Sequence, residues 1–163
     1  VAEHAARSSP AVQALARDLS KGRGARAHLG ARWFEWAKRN VEFKRDPWQI
    51  ERVPHPEKFL RLSQTPAGKI AGDCDDLATL GVAVLLAGRK SAAFVGMNRP
   101  NATRFQHVLC AEAGGWFHDV PWRLHDNQQP DRFFPIDPQE TELPGVLPGP
   151  VGRFRVYPCP AIG

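Results

Sequence analysis

Apolar residues recur at helical spacing in the first quarter of the chain and predict two helices. The first carries apolar residues three or four positions apart, at Val12, Leu15 and Leu19. Ser9 and Pro10 precede them, in the positions of an N-cap and a first helical residue. The second helix should cover about residues 26 to 40, with apolar side chains at Leu29, Trp33 and Trp36.

A third helical pattern is apolar or small around nearly its whole circumference, which is typical of a buried helix. It carries Leu77, Leu80, Val84 and Leu85, with Ala78, Gly81 and Ala83 as small residues. The helix should begin at Cys74 or one residue before it, and it should end at Gly88. Cys74 is therefore expected at the N-terminus of a core helix.

Strand-like runs follow this helix. Residues 91–97 and 105–112 predict two strands, and residues 116–122 predict a third strand after a turn at 113–115. The last two strands should form a hairpin.

The loop length of this hairpin decides which side chains meet. With a three-residue loop, Glu112 would lie opposite Trp116 and His107 opposite Pro121. Asp119 would then be the diagonal neighbour of His107 on the same face. A two-residue Gly-Gly loop would place Asp119 on the other face.

Prolines interrupt two other regions. An extended segment at 41–44 should lead into an ordered loop, 46–66, with one helical turn at 56–60. Residues 128–163 are rich in Pro and Gly and predict an arm with one closing strand within 152–157. This arm should lie over the core, residues 1–127, or over a partner.

Composition adds limits on the class of protein. A chain of 163 residues that is 42% hydrophobic is expected to form one domain. It lacks a run of about 18 apolar residues, so no membrane span is expected. The start of the chain also lacks the apolar middle of a signal peptide, so a soluble protein is expected. The net charge of +5 is spread over helix faces, and nucleic acid is not expected as a partner.

The cysteine pattern singles out one thiol. Cys74, Cys110 and Cys159 are an odd number at irregular spacing, which argues against a disulfide framework and a zinc motif. Cys110 lies three residues from His107, on the opposite strand face, and is predicted to be a core residue.

Acidic residues surround Cys74 in the stretch Gly72-Asp73-Cys74-Asp75-Asp76. A helix N-terminus favours a thiolate, whereas nearby carboxylates oppose it unless they turn away as helix caps. Capping is the preferred interpretation. Calcium is the one cofactor considered, but two adjacent carboxylates are too few for a calcium cage, so no metal is expected.

A thiol at a helix start, then a histidine on a strand, then an aspartate on the next strand is the order of a cysteine catalytic triad. The motifs Gly-Asp-Cys-Asp-Asp-Leu-Ala-Thr-Leu at 72–80, Gln106-His107-Val108 and Asp119-Val120-Pro121-Trp122 resemble the transglutaminase-like superfamily, particularly its small bacterial cysteine-peptidase-like members. Residues 36–43 resemble the lead-in of that family. The resemblance covers about residues 12 to 122.

The resemblance implies an α+β, papain-like fold, in which a helical layer carrying the cysteine packs on an antiparallel sheet carrying His and Asp. It makes Cys74 the nucleophile, His107 the general base and Asp119 the orienting acid. Transglutaminase-like domains also occur in phage gene sets, which suggests a phage or prophage protein, cytoplasmic or associated with a virion.

The sequence departs from the family pattern at the acid. Trp116 and Asp119 are one residue closer together than the corresponding residues commonly are in the family. Asp137, in Pro135-Ile136-Asp137-Pro138, fits the family pattern better but lies farther from His107 along the chain. Asp119 is preferred on the hairpin geometry, and Asp137 is the alternative.

The backbone N–H of Cys74 is the natural first donor to an oxyanion, since it lies at a helix start. Trp48 and Gln64 are candidates for a second donor. Trp48 and Trp122 are candidates for the lining of a substrate groove.

Three functions fit these residues. The first is a cysteine hydrolase, most simply a peptidase that forms an acyl-enzyme on Cys74 with a protein or peptide substrate. The second is acyl transfer or deamidation of glutamine by the same triad. The third is a non-enzymatic phage or assembly protein that retains the fold and binds a larger assembly through the C-terminal arm.

Overall fold

The computed structural model describes residues 1–24, 28–45, 54–62, 68–113, 124–125, 132–145, 147–150 and 152–163. The helices are α1 Ala2–Ser8, α2 Pro10–Leu19, α3 Leu29–Asn40, α4 Pro56–Leu62 and α5 Cys74–Ala87. The strands are β1 Val41–Phe43, β2 Ile70–Gly72, β3 Ala92–Met97, β4 His107–Ala113, β5 Leu124–His125, β6 Arg132–Ile136 and β7 Phe154–Cys159. The described part of the chain is therefore α+β, as expected.

Five strands form one antiparallel sheet in the order β5-β6-β4-β3-β7. The register places Phe94 of β3 between Cys110 of β4 and Tyr157 of β7. On the other side of β4, Cys110 is paired with Ile136 of β6. Separately, β1 and β2 form a short parallel pair just before α5. The sheet thus has strands from the last third of the chain on both sides of the β3–β4 pair.

Helix α5 is the centre of the fold. It packs against β4 and β3, and α1, α2, α3 and α4 also contact it. Every residue from Asp76 to Leu86 is buried, as the apolar pattern predicts for a helix enclosed on all sides. The sheet face away from α5 has its own apolar cluster, which includes Val95, Leu109, Phe133 and Val156. The prediction that the cysteine helix packs on an antiparallel sheet carrying His107 is confirmed.

Gly81 allows α5 to lie close to its neighbours. A Cβ atom at this position would be 2.5 Å from Cys110 Sγ and 2.8 Å from Trp33 Nε1. Cys110 is 1% exposed, and its burial raises the pKa of the thiol to about 12. The prediction that Cys110 is a core residue is confirmed.

Most predicted elements are present. The Ser-Pro start of α2 is confirmed, because Ser9 Oγ accepts a hydrogen bond from Val12 N at 3.3 Å. The closing strand near the C-terminus is present as β7, and the helical turn expected at 56–60 is α4. Helix α1 and strands β2, β5 and β6 were not predicted. None of the helices described here is long and apolar enough to cross a membrane.

The hairpin register predicted for Glu112 is wrong. Glu112 is paired with Ala92 on one side and Phe134 on the other, so neither neighbour is Trp116. Consecutive strands often pair, but here a later strand, β6, takes the place beside β4. Trp116 and Pro121 lie outside the described residues.

Candidate active site

The first turn of α5 is held by a capping box. The Asp73 side chain accepts from the backbone N–H of Asp76, and Asp76 Oδ2 accepts from Asp73 N at 3.1 Å. The expectation that acids near Cys74 act as helix caps is confirmed for these two residues. Since Asp76 is engaged in this way, the structure adds no support for a calcium site at Asp75 and Asp76.

Asp75 behaves differently from its neighbours. The thiol of Cys74 donates to Asp75 Oδ1 at 3.3 Å, so this carboxylate faces the sulfur. The expectation that the acids turn away from the sulfur is wrong for Asp75.

His107, the first residue of β4, lies between an acid and the thiol. Its Nε2 is 2.6 Å from Asp137 Oδ2, and the two side chains are 11% and 3% exposed. His107 also lines a groove with Cys74. Because Nε2 is engaged with Asp137, Nδ1 is the ring nitrogen left for the thiol.

A tight turn after β6 fixes Asp137. The other carboxylate oxygen, Oδ1, accepts from the backbone N–H groups of Gln139 at 3.1 Å and Glu140 at 3.2 Å. Thr141 Oγ1 donates to the backbone carbonyl of Asp137 at 2.7 Å. These contacts leave Oδ2 directed at the imidazole, so the ring is held by a carboxylate that is itself held by the backbone.

The surroundings of His107 change its pKa. Burial lowers the pKa, whereas the hydrogen bond to Asp137, the neighbouring Cys74 and the charges of Asp137 and Glu140 raise it. The raising effects dominate, and the pKa of His107 is about 10, compared with an ordinary value of 6.5. The ring is therefore an imidazolium at neutral pH.

Asp137 and Glu140, together with His107, also form a group of potential metal ligands. One potential ligand atom each from His107, Asp137 and Glu140 lies within 4.8 Å of the other two. His107 and Asp137 already contact each other, with Nε2 2.6 Å from Oδ2. The third residue, Glu140, is exposed. The group is described more simply as a histidine with two acidic neighbours.

The structure brings three of the predicted site residues together: Cys74, His107 and the alternative acid Asp137. The preferred acid, Asp119, lies outside the described residues, as do Trp48, Gln64 and Trp122. All three cysteines are free, in agreement with the expectation of no disulfide framework.

Sequence reasoning missed three residues beside the site. Phe105 and Tyr157 line the groove that contains Cys74 and His107, and Glu140 raises the pKa of His107. Phe105 lies in the loop before β4 and Tyr157 in the closing strand, and no motif marked either of them. Only the sheet register brings Tyr157 next to Phe94.

No family model matches the chain, and neither a curated protein nor a solved structure shows a significant match to it.

Proposed function

We propose that the protein is a cysteine-dependent hydrolase that cleaves an amide bond through an acyl-enzyme on Cys74. The observation that carries the proposal is the position of His107. Its Nε2 is fixed by Asp137 at 2.6 Å, and its ring lines one groove with the thiol at the start of α5. Nucleophile, base and orienting acid in contact are the arrangement that activates a thiol.

In the first half of the reaction, the Cys74 thiolate attacks the amide carbon and a carbon–sulfur bond forms. The backbone N–H of Cys74 has no partner within α5, because the first N–H groups of a helix are left over, and it is available to the oxyanion. The His107 imidazolium then gives its proton to the amine nitrogen as the carbon–nitrogen bond breaks.

In the second half, His107 is neutral and accepts a proton from water while the water oxygen attacks the thioester. The carbon–sulfur bond breaks, the acid is released and the thiolate–imidazolium pair is restored. Asp137 keeps the ring in place through both halves and stabilises its charge. An amine in place of water would give acyl transfer by the same steps.

We extend the proposal to the fold family. The order of Cys74 on a central helix and His107 on an antiparallel sheet supports a transglutaminase-like, papain-like core. Under this assignment Asp137 replaces Asp119 as the third member of the triad. The match to the Pro-x-Asp-Pro pattern at 135–138 supports the replacement.

Alkylation of Cys74 by iodoacetamide tests the proposal, with peptide mass mapping to separate it from Cys110 and Cys159. At about pH 6 a free thiol is almost fully protonated and reacts slowly, whereas a thiolate paired with imidazolium reacts fast. Cys74 should therefore react at least about tenfold faster than the same thiol in the unfolded chain. His107→Ala should remove most of this advantage.

His4→Ala is the matched control, because His4 is exposed and lies outside the groove. It should leave the alkylation rate unchanged. Cys74 that reacts no faster than an unfolded thiol, or equally fast in His107→Ala, would exclude the hydrolase and favour a non-enzymatic assembly role. If Cys74 is reactive, the rates of peptide cleavage and of amine incorporation are then compared, and this comparison separates hydrolysis from acyl transfer.

A further inference from the structure

A groove of about 390 Å³ opens beside Cys74. Cys74 and His107 lie on its wall together with two aromatic residues, Phe105 and Tyr157. A volume of this size is within the range of sites that hold small organic groups or peptide side chains. The groove is thus part of the same site as the thiol.

The two aromatic rings are unusually open to solvent. Phe105 is 47% exposed and Tyr157 is 43% exposed, although large aromatic rings gain free energy by burial. Single exposed apolar residues are common on protein surfaces, but an exposed pair beside a nucleophile forms a local apolar patch. Such a patch is the kind of surface that an apolar group covers on binding.

The sheet places both rings on the face that carries the thiol. Tyr157 is paired with Phe94, and the next position on the same face of β3 is Gly96. The Phe105 ring lies against Gly96, where an added Cβ would be 3.2 Å from the ring. A glycine at position 96 therefore makes room for the ring of Phe105.

Tyr157 has a separate support. The guanidinium of Arg155 lies over its ring, 5.2 Å from the centroid. A cation over a tyrosine face is attractive and restrains the ring. Phe105 and Tyr157 are thus held in position from different elements, although both are exposed.

We propose that Phe105 and Tyr157 bind a large apolar or aromatic side chain of the acyl donor and so determine the substrate class of the Cys74 site. The inference rests on the proposed function, because it gives the groove a substrate for that thiol. The preferred substrate is then a peptide with a bulky apolar residue next to the scissile amide.

Two thiol-reactive probes test the preference: N-acetyl-Phe and N-acetyl-Gly acyloxymethyl ketones, which differ only in the side chain. Each labelling rate is divided by the rate with iodoacetamide, so that thiol reactivity cancels. The Phe probe should be favoured at least about tenfold, the usual discrimination of an apolar pocket. Phe105→Ala and Tyr157→Ala should each remove most of this preference, measured as the ratio of the two normalised rates.

Phe154→Ala is the matched control. Phe154 is an exposed aromatic residue on the same strand as Tyr157, and it is paired with Met97 and does not line the groove. This variant should keep the full preference. No preference in the parent protein, or an equal loss in Phe154→Ala, would overturn the inference.

A second measurement keeps the inference separate from the proposed function. In Cys74→Ser the groove remains without its nucleophile, and N-acetyl-4-fluorophenylalanine methylamide is titrated into it by fluorine NMR. Saturable binding that weakens about tenfold in Phe105→Ala supports the aromatic site even if Cys74 alkylates slowly. Absence of saturable binding, with a fast-reacting Cys74, would overturn the aromatic site and leave the hydrolase standing.

Discussion

At the scale of single residues, His107 is the group whose environment most affects the chemistry. Its pKa is about 10 despite burial, which by itself would lower the pKa. A histidine with a raised pKa stabilises the folded state fully below its ordinary value of 6.5, and this contribution is lost as the pH rises through about 10. The charged ring thus contributes to stability at neutral pH.

Asp137→Asn tests whether the contact with Asp137 is what raises the pKa of His107 against the effect of burial. The substitution removes the charge and weakens the hydrogen bond at Nε2, while the burial of His107 remains. The pKa of His107 should fall well below 10, toward its ordinary value of 6.5. Proton–nitrogen NMR of the imidazole as a function of pH measures it directly.

Glu140→Gln is the control for the titration of His107, with a smaller expected effect. Glu140 is exposed, and its charge is a smaller cause of the raised pKa than Asp137. It should lower the pKa of His107 by less than Asp137→Asn does. An unchanged pKa in Asp137→Asn would mean that the 2.6 Å contact does not set the charge of the ring.

At the scale of elements, the contact between α5 and β4 sets the position of the thiol relative to the histidine. Gly81 lies at that contact, where its missing side chain makes room for Cys110 of β4 and for Trp33 of α3. In a solvent-exposed helix, Gly→Ala would stabilise by about 1 kcal/mol. At Gly81 the neighbouring side chains should reverse the sign of this effect, so that Gly→Ala lowers the free energy of unfolding.

Gly81→Ala should destabilise the protein by about 1–3 kcal/mol, the usual effect of added volume in a packed core. The urea midpoint of unfolding measures the change. In a Cys110→Ala background, the nearest atom, Cys110 Sγ at 2.5 Å, is gone, and Gly81→Ala should then be less destabilising. A stabilising Gly81→Ala would show that α5 can move away from β4 without loss.

The elements also show how far the sequence predicts the structure. Local signals were sufficient for α2 and α5, because Ser9 caps one helix and an apolar circumference marks the other. They placed Cys74 and His107 on the correct elements. Strand β6 was missed because it contains Pro135, and a proline normally argues against a paired strand.

Because strand β6 was not predicted, the sequence did not identify Asp137 as the preferred acid of the triad. Asp137 follows β6 directly, and it reaches His107 because β6 pairs with β4 through Cys110 and Ile136. Cys110 and Ile136 are 26 positions apart in the chain. A pairing between such distant residues leaves no periodic signal in the sequence. Hairpin geometry between neighbouring strands therefore pointed to Asp119 instead.

At the scale of the whole molecule, residues 128–163 supply two of the five strands in the main sheet. They contribute β6 beside β4 and β7 beside β3. They also supply Phe133, Leu147 and Val156 to the apolar cluster on the sheet face away from α5. Pairing of edge strands and burial of apolar side chains on the sheet face both stabilise a sheet. Residues 128–163 should therefore be needed for folding.

Removal of residues 128–163 tests the prediction that residues 1–127 form the core and residues 128–163 an arm packed on it or on a partner. The shortened chain would expose both edges of the β3–β4 pair, uncover Val95 and Leu109, and lack Asp137. We expect it to lose cooperative urea unfolding by circular dichroism and to aggregate, because unpaired strands and an open apolar face favour association. Removal of 160–163 alone leaves every strand intact and should preserve cooperative unfolding. If residues 1–127 unfold cooperatively and Cys74 still reacts fast, the C-terminal segment is an accessory arm, and an acid from the first 127 residues must orient His107.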